Sequence, residues 1–344
     1  MPRPLRLEHP GVFYHITARG NARQRIFWDQ RDRAHLRELL EEAVTRFHLR
    51  LFAYVFMANH YHLLLEVPPG NLSRAMQWLN VSYSAWFNVR HRQIGHLFQG
   101  RFKCVVVEPL TWAYSLSRYV HLNPVRTAGY GLDKSARRQQ RAGVKAAATA
   151  EQVQRRIAML RNYRWSSYRA YVGLEPAPDW LDRTEIFART GRRGRDLQQH
   201  SYQQYVEEAV RDGLPESPWQ AVQGQIILGD DEFVERMRER AAAGHGRLAE
   251  ALARMPKFEQ ITAAVEKLKG EKWMDFRDRR NDWGRDLALY LARRHTGLKL
   301  DDLGRVCELD GRTVGWAVQR FTRRIANDEA IAAAVKIVTA RITQ

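Results

Sequence analysis

The stretch Ala53-Tyr-Val-Phe-Met-Ala-Asn-His-Tyr-His-Leu-Leu-Leu-Glu66 decides how this chain is read. Two apolar runs meet at Ala58-Asn59, a junction short enough to join antiparallel strands over 51–57 and 60–67. Side chains two apart on a strand share a face, so His60 and His62 point the same way, roughly 6 to 7 Å apart at about 3.3 Å per residue. One cation can sit between them. A histidine pair also serves in cores and as a hydrogen-bonded spacer, so the pair alone does not decide its use.

The flanking sequence extends this hairpin into a sheet. Val12-Phe-Tyr-His-Ile-Thr-Ala18 is β-branched and aromatic and runs into a turn at Arg19-Gly20-Asn21, which predicts a strand. Leu36, Leu39, Leu40, Ala43, Val44 and Phe47 have helical spacing over 31–47, and Leu72, Met76, Leu79, Tyr83 and Phe87 predict a long helix over 71–92. A last strand, Phe102 to Glu108, precedes Pro109 and a helix over 110–122. Two β-α-β halves meeting at a hairpin describe an α+β domain, a ferredoxin-like βαββαβ sheet with helices on one face. The histidine strand is central in that topology, and the open face is where chemistry is expected.

In the closing helix the apolar stripe Trp112, Leu116, Val120 leaves Tyr119 at its edge, with Asn123 one turn on and on the same side. Pro124 disfavours helix at Asn123 and ends the element there. Periodicity does not separate Tyr119 from Tyr114, and either can be a packing aromatic.

Composition narrows the partners. Against 38 Asp and Glu stand 56 Lys and Arg, a formal charge of +18, and arginine's planar fork suits phosphate. Nucleic acid is the expected partner, not a small molecule. Cys104 and Cys307 alone exclude a disulfide framework or a cysteine-rich zinc cluster and fit a reducing cytoplasm. The start has no apolar signal core, and no stretch reaches the roughly 18 apolar residues of a membrane span, so a soluble cytoplasmic protein is expected. A chain of 344 residues is long for one core, and two or three domains are expected.

Four motifs in order carry a resemblance: Arg19-Gly20-Asn21, Met57-Ala-Asn-His-Tyr-His62, Phe98-Gln-Gly-Arg-Phe102 and Arg118-Tyr-Val-His-Leu-Asn-Pro-Val-Arg126. Together they resemble the single-tyrosine HUH transposases, most of all the REP-associated tyrosine transposases. The resemblance implies the same ferredoxin-like fold, with Tyr119 as nucleophile and His60, His62 and Asn123 on Mg²⁺ or Mn²⁺. It implies cleavage of single-stranded DNA carrying REP-like hairpins through a 5′-phosphotyrosine link, which a free 3′-hydroxyl later reverses. It also points to Arg19, Gly20, Asn21 and Arg101 as DNA contacts, the glycine letting backbone approach a nucleotide closely. Arg23 and Lys103, interleaved with Trp28, Phe98 and Phe102, offer a basic and aromatic surface for a single strand.

Beyond 130 the chain divides into a basic segment that packs back on the catalytic domain (131–184), a helical connector (185–280) and a last domain (281–344), after the transposase-like domain (1–130). Arg137, Arg138, Arg141, Lys145, Arg155, Arg156 and Arg161 make the segment basic, as a solvated helix face or a mobile insert, and Arg164 to Tyr171 resumes the family resemblance. The region from about 185 reads as all-helical. In the helix after Glu308-Leu-Asp-Gly311, Val314, Val318, Phe321 and Ile325 turn inward, leaving Arg312, Thr313, Trp316, Gln319, Arg320 and Arg323 outside. Arginine can read guanine and glutamine adenine, so Arg312, Gln319, Arg320 and Arg323 are candidate DNA contacts. With Tyr290 to Gly297, this part resembles the helix-turn-helix of bacterial replication-initiator DNA-binding domains. Gly311-Arg-Thr-Val-Gly-Trp316 departs from that family's usual His-Thr-Thr-Val, and a small helical bundle with an arginine-rich surface is the plainer reading.

The expected function is thus a metal-dependent single-strand endonuclease and strand-transferase, a monomer with a dimer as the alternative. Two other functions stay open at this level: a DNA-binding regulator that keeps the fold without cleaving, and a hydrolytic nuclease using metal-bound water.

Overall fold

The computed structural model describes residues 11–68, 71–133, 136, 148–211, 214, 217–223, 226–243, 256–296, 298 and 300–342. Arg137, Arg138, Arg141, Lys145 and Gly297 lie outside the described residues. The chain forms two compact units, the first ending at Gln220 and the second running from Ala221.

The first unit is built on strands β1 (Phe13–Arg19), β2 (Arg50–Met57), β3 (His60–Glu66) and β4 (Lys103–Val107) and helices α1 (Gln30–Phe47), α2 (Leu72–His91) and α3 (Pro109–His121). These strands lie in the order β2-β3-β1-β4, with every neighbouring pair antiparallel. That is the ferredoxin-like order, with the histidine strand inside it. Alternation along the strands sorts the two faces. Tyr14, Ile16 and Ala18 share a face with Tyr61, Leu63 and Leu65, all buried. On that side Tyr61 donates its hydroxyl to Asn80 Oδ1 of α2 at 2.8 Å, and His35 of α1 stacks on Trp86 of α2 at 4.1 Å. His15, Thr17, His60 and His62 alternate to the opposite face, and α3 crosses there.

Two further contacts fix the sheet around the histidines. The β2 edge is covered by Trp165 to Ser167: Phe56 N–H donates to Trp165 O at 2.8 Å, and Ser167 N–H to Tyr54 O at 3.0 Å. A strand that would expose a row of unpaired backbone groups is closed in this way. At the hairpin turn, Gly20 N–H donates to Asn59 O at 2.9 Å and Ile26 N–H to Ala58 O at 3.1 Å. A Cβ on Gly20 would lie 2.2 Å from Gln24 O and 2.9 Å from the Ile26 side chain. Gly20 is buried, so its missing side chain answers to the protein's own backbone, which corrects the expectation that it admits a nucleotide.

The second unit contains a two-residue hairpin, Val222–Gln223 with Ile227–Leu228, a departure from the all-helical expectation. The rest of its described core is helical. Helices Phe258–Lys269, Trp283–His295, Leu300–Cys307, Gly311–Asn327 and Glu329–Ile342 bury Ile261, Leu287, Leu291, Leu303, Val314 and Phe321 together. The turn between Leu300–Cys307 and Gly311–Asn327 is tight: a Cβ on Gly304 would lie 2.6 Å from Leu309 O, and one on Gly311 2.0 Å from Asp301 Oδ1. Asp310 caps the second helix by accepting from Arg312 N–H at 2.6 Å. Among the described residues no helix is long and apolar enough to cross a membrane.

Gly20→Ala is expected to destabilise the protein by roughly 2 kcal/mol, the usual range for forcing atoms into a filled site. Thermal and urea unfolding measure this, and a variant as stable as the parent would contradict the packing described.

Candidate active site

Register places the histidines before any side chain is considered. In the β1–β3 ladder Thr17 lies opposite His62 and Arg19 opposite His60, and β2 sets Val55 and Met57 beside them. His62 Nδ1 lies 2.9 Å from His15 Nε2 and 3.1 Å from Thr17 Oγ1. His60 Nδ1 is 2.7 Å from Asn59 Oδ1, while the Asn59 amide donates to Arg23 O at 3.0 Å. The two imidazoles stand edge to face with centroids 5.0 Å apart. His15 and Thr17 escaped the sequence reading. Their two-residue spacing on a strand was the available signal, but only the pairing with β3 gives it meaning.

All three imidazoles are kept neutral. Burial pulls His60 down to about 4, helped by the Arg19 charge, and pulls His15 down to about 3. His62 lies well below its ordinary value, through burial first, then the neighbouring His15 and His60 rings, which would repel a second proton, and then the charges of Arg19 and Arg126. A neutral imidazole is the form that donates a lone pair to a metal.

Above this pair, α3 brings Tyr119. Its ring lies 6.0 Å from the His62 ring and 6.3 Å from the His15 ring, nearly perpendicular to both. The Arg126 guanidinium covers the phenol ring at 4.4 Å. Asn123, in the short 3₁₀ turn Asn123–Val125 that follows α3, donates its amide to Tyr119 O at 2.9 Å and Val120 O at 3.2 Å, leaving Oδ1 as its other polar atom. Tyr114 goes elsewhere: it stacks on Tyr205 at 4.1 Å, and burial pushes it up to about 12. His121 turns to the far side of α3, fully buried, bonded to the Tyr202 hydroxyl and Ser167 Oγ at 2.7 Å each. Trp219 was also missed. Its ring lies 5.1 Å from that of Tyr119 and 4.5 Å from that of His15, contacts across about one hundred and about two hundred residues that no local pattern announces.

The candidate DNA contacts divide. Arg19, Asn21, Arg23, Arg101 and Lys103 are exposed at the end of the sheet where β1 finishes and β3 and β4 begin. Phe98 and Phe102 are buried and belong to the core, so of the three aromatics expected on this surface only Trp28 is exposed, at 50%. In the second unit Arg312, Trp316, Gln319 and Arg323 form one exposed stripe at spacings of three and four. Arg320 departs from the expectation. It grips the fully buried Asp286 with a bidentate pair at 2.9 to 3.0 Å, holding together the helices Trp283–His295 and Gly311–Asn327. Burial raises the Asp286 carboxyl even against that guanidinium, so Arg320 is an internal counter-ion.

Residues 9–123 match the family model described as Transposase IS200 like. The matching segment, about a third of the chain, contains His60, His62, Tyr119 and Asn123. Among solved structures, a REP-associated tyrosine transposase bound to a REP hairpin aligns with 54% of this chain and 96% of its own, at 17% identity and a TM-score of 0.35. No curated protein matches the chain.

Buried neutral histidines make stability depend on acid. The unfolded chain binds protons near pH 6.5, the ordinary histidine value, whereas folded His60 and His15 bind them only near 4 and 3. Their contribution is therefore complete above about pH 6.5 and is lost as pH falls toward those lower values. Calorimetry across pH 8 to 4 should show a Tm that is flat at first and then declines below about 6.5. A Tm unchanged down to pH 4 would contradict the burial of these rings.

Proposed function

We propose that the first unit cleaves and rejoins single-stranded DNA, with Tyr119 as nucleophile. The observation that carries this is the phenol ring of Tyr119 standing 6.0 Å from the His62 ring and 6.3 Å from that of His15, on the face of the sheet that carries the histidines. Domain type, overall charge of +18 and the exposed arginines at the histidine end of the sheet agree with a DNA strand as substrate. The family resemblance directs the reading to strands carrying REP-like hairpins.

The donor set fits a divalent ion, Mg²⁺ or Mn²⁺. His60 and His62 each have Nδ1 engaged by a neighbouring side chain, Asn59 and His15, which leaves Nε2 as the ring nitrogen to ligate, in the manner of metal-binding histidines. Among the described residues no three His, Cys, Asp or Glu side chains form a cluster that could hold an ion, so a third donor must be of another kind. Asn123 Oδ1 supplies an amide oxygen for that role. A bound divalent cation would draw charge from a non-bridging phosphate oxygen. The protein's own part is to hold the phenol, orient the imidazoles and offer Arg19 and Arg126 to the phosphate. Tyr119 gives up its phenolic proton and attacks phosphorus, the bond to the 3′ oxygen breaks and that oxygen takes up a proton to leave as a 3′-hydroxyl, and a 5′-phosphotyrosine link retains the bond energy for resealing.

With hairpin-bearing oligonucleotides and Mn²⁺, a denaturant-resistant protein–DNA adduct is expected. Tyr119→Phe should abolish it, and His60→Ala should slow it by about a hundredfold, from the several kcal/mol an electrophilic metal contributes. Cleavage that survives Tyr119→Phe would indicate water as nucleophile, and binding without any cleavage would indicate a regulator.

The second unit is read as a duplex-binding helix-turn-helix, on the exposed stripe Arg312, Trp316, Gln319, Arg323. Arg312→Ala and Arg323→Ala should each weaken duplex binding and make the salt dependence of log K shallower by about one. Arg320→Ala should instead lower stability, by roughly 2 kcal/mol, because it strands the buried Asp286. Titrations at several salt concentrations, with unfolding curves for each variant, separate these effects.

A further inference from the structure

His121 fixes where α3 lies, but it leaves the Tyr119 side chain two torsions of its own. Those torsions place Oη, and a displacement of about 1 Å can cost on the order of a hundredfold in rate. Two groups bound the phenol beyond the histidines: Arg126, over the ring at 4.4 Å, and Trp219, perpendicular to it at 5.1 Å. They differ in what a substrate does to them. A phosphate entering the site attracts the Arg126 guanidinium, whereas a neutral indole has no such pull. Trp219 also packs on His15 at 4.5 Å, and His15 in turn meets His62 at 2.9 Å, so one ring touches both the nucleophile and the support of the histidine pair. Perpendicular aromatic contacts of this kind have a preferred geometry, which restrains both rings. Trp219 itself follows Pro218 in a 3₁₀ turn, Pro218–Gln220, at the end of the first unit, outside the segment that matches the transposase family.

We infer that Trp219 is a positioning residue for the Tyr119 phenol, holding it over the histidines when DNA draws Arg126 away. This rests on the reading of Tyr119 as nucleophile. It assigns the placing of the nucleophile to a residue far in sequence from the matched segment, and it predicts that losing the indole impairs attack more than DNA binding.

The test uses the full chain with Trp219→Ala and Trp219→Phe, after circular dichroism and melting confirm that both fold. Single-turnover adduct formation with a hairpin oligonucleotide in Mn²⁺ should slow by about tenfold to a hundredfold in Trp219→Ala at saturating DNA. The half-saturating DNA concentration should stay within about twofold, and Trp219→Phe should recover most of the rate, since a smaller ring keeps the aromatic contact. A faster rate would mean that Trp219 obstructs the site, an unchanged rate that it has no role, and a change confined to half-saturation that it contacts DNA only. Each of these overturns the inference. A second measurement does not use the reaction: tetranitromethane nitration of Tyr119 in the free protein, followed by peptide mass, should be several-fold faster in Trp219→Ala. Equal nitration also overturns the inference. Absence of adduct from the parent protein, with nitration still accelerated, would sink the nucleophile reading instead.

Discussion

The rotational setting of α3 is the constraint on which the candidate site depends. Residues 119 and 121 are about 200° apart on a helix of 3.6 residues per turn, so whatever fixes His121 also aims Tyr119. His121 is fully buried, and each ring nitrogen has one partner, the Tyr202 hydroxyl and Ser167 Oγ, at 2.7 Å. Burial holds its pKa down at about 3, so the ring is neutral and must donate from one nitrogen and accept at the other. Tyr202 continues the chain of bonds to Ser117 of α3 at 2.9 Å. Turning the helix would orphan several buried polar groups at once, each costing about 1 to 3 kcal/mol. The far side of α3 is thus held by helices late in the unit, and the near side presents Tyr119 to the sheet.

This explains which parts of the molecule were legible from residues alone. The hairpin around Ala58-Asn59, the shared face of His60 and His62 and the order of elements depend on periods of two and on helical spacing, and these are local properties. Tyr119 and Tyr114 could not be separated that way, because the difference between them lies in Tyr205, some ninety residues on, which takes Tyr114 at 4.1 Å. His15, Thr17 and Trp219 join the site through strand register or a distant turn. Phe98, Phe102, Gly20 and Arg320 were misjudged for one reason: their partners are the sheet interior, the Gln24 carbonyl and Asp286, and a side chain's type does not reveal what is packed against it.

The electrostatics of the site bear on its ligand. His15 and His62 are buried with the half-buried His60 beside His62, and the positive charge of Arg19 depresses His60 and His62 further, as Arg126 does His62. A bare cation approaching this pair meets two neutral imidazoles but also two guanidiniums. A phosphate relieves that repulsion, since one oxygen can face the cation while others face the arginines. On the proposed reading, ion and strand therefore favour one another's binding, and by thermodynamic reciprocity each raises the other's affinity by the same factor. On that same proposed reading, the site would hold a divalent ion most strongly with the scissile phosphate present, when Tyr119 has something to attack.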